Sequence, residues 1–203
     1  MERFRQVLLC ANRLWGLAKL LLLKLDMGRS PSQSPSGAAK PPTIYETMLE
    51  QHRAIDRLLE ELLDLLLSRF ARAGSPPSLT ADEDAPRRLL LRLRKTLAAH
   101  IELEDGILFR EFEAQSGLLV DGPTATLRRE HQVILARLDE LLVVLPTEPL
   151  AGLQQQLAAF CALYTDHCRR EDVLYEICER LLSPEQHARA QRLLQRRVRD
   201  RFT

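Results

Sequence analysis

Two stretches of the chain carry the same apolar stripe. In the first, Ile55, Leu59, Leu62, Leu63 and Leu66 recur three or four positions apart or adjacent; in the second, Ile134, Leu138, Leu141, Leu142 and Leu145 do the same. This is the period of an α-helix with one face turned to a core. Prolines set the limits of such segments, because a helix interior excludes them. They fall at 31, 35, 41, 42, 76, 77, 86, 123, 146, 149 and 184, which leaves helix candidates at about 43–72, 86–115, 124–145, 150–182 and 184–200. Ser183-Pro184-Glu185 reads as the start of the last one, with Ser at the N-cap, Pro at the first helical position and an acid in the first turn.

The flanks of this helical block differ in pattern. Residues 1–27 are apolar but interrupted by Arg13, Lys19 and Lys24, so no run approaches the ~20 residues that span a bilayer. There is no clear signal-peptide cleavage site. The segment reads either as a basic amphipathic helix making weak contact with a membrane surface or as an upstream extension of little consequence. Residues 28–42, rich in Ser, Pro and Gly, read as a flexible linker. Residues 183–203 form an extra C-terminal helix with Arg189, Arg192, Arg196, Arg197, Arg199 and Arg201, a basic face read as solvated rather than as the seat of an anionic partner.

The two stripes belong to an internal duplication. Each follows a lone histidine, His52 or His131, and Ile55, Leu59, Glu61, Leu62 and Leu63 align with Ile134, Leu138, Glu140, Leu141 and Leu142. Further on, Glu104-Asp105 aligns with Glu171-Asp172. A repeated helix pair predicts an all-α protein built as a four-helix unit with a pseudo-twofold axis, over residues 43–182. At 203 residues the chain suits one domain with a sizeable core. With Lys plus Arg 29 against Asp plus Glu 28, it lacks the basic excess of a bulk nucleic-acid binder, and no nucleic-acid partner is expected. The cysteines, Cys10, Cys161, Cys168 and Cys178, form no Cys-x-x-Cys motif and read as reduced thiols of a cytoplasmic protein. Cys161 and Cys168 share a helix face and read as small core residues rather than a redox pair.

The chemistry lies in the histidines. Four of the five sit in one repeated pattern: His52, then His100-Ile-Glu-Leu-Glu104; His131, then His167-Cys-Arg-Arg-Glu171. Residues four apart lie on one helix face, so each His-x-x-x-Glu aims an imidazole and a carboxylate at one point. Turned into a core, Glu104 and Glu171 would be very costly unless a cation met them. The metal ligands are therefore read as His52, His100, Glu104, His131, His167 and Glu171. Imidazole and carboxylate together suit iron, manganese or zinc, and no cysteine matches a structural zinc pattern. A glutamate can bridge two ions through its two oxygens, and Glu104 and Glu171 are both read as bridges; with four histidines they make six protein ligands, which leaves positions open on two ions. Ferritin-like bundles use Glu-x-x-His, and no Glu lies three residues before any histidine here. Asp56, four after His52, is an additional ligand or a solvated acid beside Arg57; Tyr164 lines the pocket or packs in the core; His187 reads as a surface residue.

The order His, His-x-x-x-Glu, His, His-x-x-x-Glu on successive helices resembles the hemerythrin-like family, the HHE cation-binding domain. So do Pro42-Thr-Ile-Tyr-Glu-Thr-Met-Leu-Glu-Gln-His52-Arg and Glu104-Asp-Gly-Ile-Leu-Phe109, and the likeness covers about 43–182. The resemblance implies an up-down-up-down four-helix bundle around a non-haem di-iron centre, with two iron ions per chain joined by an oxo or hydroxo bridge. Oxygen-carrying members place a further histidine four residues after the one on the third helix; here that position is Leu135. The departure points away from reversible oxygen storage. It points toward the branch implicated in oxygen, nitric oxide or redox sensing, iron handling and iron–sulfur repair.

Three functions follow from this reading. The first is a di-iron protein that binds or senses dioxygen, nitric oxide or peroxide, or handles iron, without being an enzyme. The second is an enzyme of peroxide or nitric oxide detoxification or of iron–sulfur centre repair. The third is a helical interaction module with a structural metal.

Overall fold

The computed structural model describes residues 43–72, 84–118, 122–147 and 150–202. The expectations for residues 1–27 and 28–42 lie outside the described residues. The described residues belong to one compact unit.

Every described element is helical. Helix α1 is Ile44–Arg72, α2 is Ala85–Leu103, α3 is Phe109–Ser116, α4 is Pro123–Val144, α5 is Leu150–Leu181 and α6 is Pro184–Phe202. Between α2 and α3, Glu104–Leu108 forms one wider π turn, so that α2, the turn and α3 make a single rod. Four rods therefore build the bundle: α1, α2 with α3, α4 and α5. Each packs on its neighbours in chain order, and α5 closes the ring against α1. This is the predicted all-α bundle with an extra C-terminal helix.

The helix starts follow from side chains next to them. Thr43 and Glu46 make a reciprocal cap: the Glu46 amide donates to Thr43 Oγ1 at 3.1 Å, and the Thr43 amide donates to Glu46 Oε2 at 2.7 Å. Ser183 and Gln186 repeat the device at the head of α6, with Pro184 at the first helical position. Gly117, at φ 72°, ends α3 in the left-handed conformation that glycine adopts without strain.

The π turn changes which residues face inward. The Phe109 amide donates to the Glu104 carbonyl, five residues back rather than four. Phe109, just past the turn, is fully buried. Around this turn Met48, Leu108, Phe109, Phe112, Leu174 and Tyr175 form a core. Ala190 and Leu194 of α6 join it, so the added helix seals this end of the bundle. Two polar contacts pin it there: Arg189 to Glu111 at 2.8 Å and Gln186 to Gln115 at 2.8 Å. The Arg189 end of the basic helix is thus used internally.

Of the two apolar stripes, all five residues of the first are buried, and so are Ile134, Leu138 and Leu141 of the second. No described helix is long and apolar enough to cross a membrane.

Candidate metal centre

The four rods bring the six residues named from the sequence to one place. His52 comes from α1, His100 from α2, Glu104 from the first position of the π turn, His131 from α4, and His167 and Glu171 from α5. None is more than 3 % exposed. Their ligand atoms fall into two groups, each within 4.8 Å: His52, His100, Glu104 and Glu171, and His131, His167 and Glu171. Glu171 belongs to both.

The atoms converge closely. His52 Nε2 lies 3.0 Å from His100 Nε2 and 3.2 Å from Glu171 Oε2. His100 Nε2 lies 3.3 Å from Glu104 Oε2. Across the axis, Glu171 Oε1 lies 3.0 Å from His131 Nε2 and 2.6 Å from His167 Nε2. Glu171 thus presents one oxygen to each half. Glu104 behaves differently: its Oε1 accepts a short hydrogen bond from the Tyr175 hydroxyl, which leaves Oε2 for the site.

The far sides of three of the rings are held as suits a metal ligand. An imidazole that binds a metal through Nε2 carries its proton on Nδ1 and donates it. His100 Nδ1 faces Gln51 Oε1 at 3.1 Å, His131 Nδ1 faces Asp105 Oδ1 at 3.1 Å, and His167 Nδ1 faces Glu130 Oε2 at 2.9 Å. Arg128 reaches the Asp105 carbonyl at 3.3 Å, and Arg170 Nε reaches Glu130 at 3.1 Å. Phe109 stacks on His131 with ring centres 5.7 Å apart, and the Arg128 guanidinium lies over its ring.

Two buried carboxylates side by side demand positive charge. Burial and the neighbouring Glu171 raise Glu104 to about 7. Burial opposes a charge on His131, yet hydrogen bonds to Asp105, Glu104 and Glu171 hold its proton up to about 11. Burial also opposes charge on Glu171, but contacts to His131, His167 and His52 keep it well below the usual carboxylate range. Burial, then His52, pushes His100 well below its ordinary value. Without a cation, protons occupy part of the centre. The Oε2 atoms of Glu104 and Glu171 are buried against the inward imidazole nitrogens, 3.2 Å from His131 Nε2 and from His52 Nε2 respectively. Inward imidazole nitrogens and two buried carboxylates fit a metal cation.

Other candidates lie elsewhere. Asp56 is half-buried and joins neither group; it acts on the Tyr164 phenol, which is buried, stacked on Phe160 and close to Cys168. His187 is partly covered and faces Glu179, away from the centre. Cys161, Cys168 and Cys178 are free thiols.

The chain matches the family described as the hemerythrin HHE cation binding domain over residues 43–178. It belongs to that family. The match ends before α6, so the sealing helix is added to the hemerythrin domain rather than part of it. No curated protein and no solved structure matched the chain.

The sequence reading missed the supports of this hemerythrin centre: Gln51, Asp105, Glu130, Tyr175 and the arginines behind them. A signal existed for two of these. Gln51 and Glu130 each directly precede the lone histidine of their repeat, and both carry an acceptor oxygen. The π turn left no signal, since Glu104-Asp-Gly-Ile-Leu108 has no composition that separates it from an α-helix.

Proposed function

We propose that this hemerythrin-family chain holds a non-haem di-iron centre that binds or senses dioxygen, nitric oxide or peroxide, or handles iron. The observation that carries the reading is Glu171, which offers one oxygen to each of two histidine pairs and so suits a bridge between two ions. Glu104 completes the His52–His100 half. Iron bound there would supply redox-active positions at which a small oxidant can bind.

The protein's own groups fit that task. The three outward Nδ1 contacts fix His100, His131 and His167 with Nε2 turned inward. Tyr175 steadies Glu104, and Phe109, Leu108 and Met48 keep the surroundings apolar. A small neutral molecule fits such a buried site better than a large or charged one. A cytoplasmic setting accords with the three free thiols.

The test is anaerobic purification, metal analysis, and spectra on adding dioxygen, peroxide or nitric oxide. Two irons per chain and a spectral change with at least one of these support the reading. A colourless protein whose metal ignores all three favours a structural metal instead. Steady turnover of peroxide or nitric oxide would make the protein an enzyme.

A further inference from the structure

The duplication makes the two halves of the centre comparable position by position. The residue before each lone histidine supports the second histidine of the same repeat: Gln51 supports His100, and Glu130 supports His167. The geometry is alike, but one acceptor is a neutral amide and the other a carboxylate. The residue three positions after each second histidine also differs. It is Arg170 after His167, and Arg170 grips Glu130 through Nε at 3.1 Å and Nη2 at 3.0 Å. After His100 the same place is Leu103, which is buried. A third difference has the same sense: three residues before His131 stands Arg128, which braces Asp105, and three before His52 stands Leu49, buried.

A carboxylate behind an imidazole strengthens the Nδ1 hydrogen bond and makes the ring a better donor to a metal; an amide does so less. We propose that the Glu130–Arg170 pair is a positioning device for His167 that raises metal affinity in the His131–His167 half alone. That half has three grouped ligands where the other has four. The charged support offsets the smaller ligand set and keeps both halves occupied. Arg170 has a second part: it holds Glu130 at one place, so the carboxylate cannot swing away to solvent.

The inference rests on the dinuclear reading above, and one experiment separates their failures. Full-length protein, stripped of metal, is titrated with cobalt(II), whose visible spectrum reports the ligand set of each ion. The unaltered chain binds two cobalt ions. Glu130→Gln leaves the hydrogen bond but removes the charge, and weakens one of the two binding steps about 10- to 100-fold while the other holds. Arg170→Gln, at an exposed position, weakens the same step. In a His167→Ala background Glu130→Gln has no further effect; in a His100→Ala background its effect persists. Equal weakening of both steps, no weakening, or the same loss in the His167→Ala background would overturn the proposal. Fewer than two cobalt ions on the unaltered chain would overturn the dinuclear reading and this inference with it.

Discussion

Glu104 and Glu171 reach one imidazole nitrogen from opposite repeats. His131 Nε2 lies 3.2 Å from Glu104 Oε2 and 3.0 Å from Glu171 Oε1. The two carboxylates therefore meet at the midline of the bundle, where each repeat supplies one. Their roles are not equal, since Tyr175 holds the second oxygen of Glu104 and Glu171 keeps both oxygens for the histidines.

That inequality sets the outcome of removing each carboxylate. If the centre holds two ions as proposed, Glu171→Ala should lose both, because Glu171 serves both ligand groups. Glu104→Ala should then lose chiefly the one beside His52 and His100. Glu102 is exposed and His187 faces Glu179, so alanine at either should keep full metal content and near-normal stability. Iron per chain and Tm for the four variants check this. Intact iron in Glu171→Ala, or equal loss in all four, would contradict the assignment.

Removing the Tyr175 hydroxyl takes a donor from a buried carboxylate. Tyr175→Phe should destabilise the protein by about 1–3 kcal/mol. For a chain of this size that is a fall in Tm of roughly 3–10 °C. The ring stays to pack beside His52, so the variant should fold and still bind metal. An unchanged Tm would show that the hydroxyl does not support Glu104.

Metal-free and metal-loaded protein should respond differently to alkali. In the metal-free fold His131 keeps its proton up to about 11, whereas an unfolded imidazole loses it near the ordinary 6.5. The folded state thus binds more protons across that window, and its stability falls as pH rises. Burial of Cys161 and Cys178, raised to about 12, adds in the same direction above the ordinary thiol value of 9. Each such group contributes a slope of at most about 1.4 kcal/mol per pH unit. A bound ion displaces the His131 proton, so metal affinity rises with pH and acid releases the metal. Denaturant melts between pH 7 and 10 should show metal-free stability falling with pH and metal-loaded stability much flatter, because metal-bound and unfolded His131 are then both neutral; a common slope would falsify the proton competition.

Two glycines on the same rod should answer differently to alanine. Gly106 in the π turn has nothing within 4 Å of an added Cβ and no positive φ, so Gly106→Ala should stabilise by about 0.5–1 kcal/mol. Gly117 has φ 72°, and Gly117→Ala should destabilise by about 1–2 kcal/mol. Paired melts decide it; a Gly106→Ala loss would mean that the turn needs glycine for its shape.

Much of this protein is written in local pattern. Apolar spacing and proline positions placed the rods to within a residue or two, because a helix period repeats over many turns and a proline ends it. The ligand-type residues were also legible, because a His-x-x-x-Glu puts both groups on one face before any packing is known. Tertiary structure decided the rest. The i+5 bond from Phe109 to Glu104 has no mark in the local composition, and neither has the stacking of Phe109 on His131 from another rod. Tyr175 reaches Glu104 across 71 positions of chain, and Asp105 reaches His131 across 26, contacts that no periodicity encodes. Spacing along one helix shows which side chains share a face. Which partner that face meets, and so which oxygen is left free for a metal, depends on the rods packed around it.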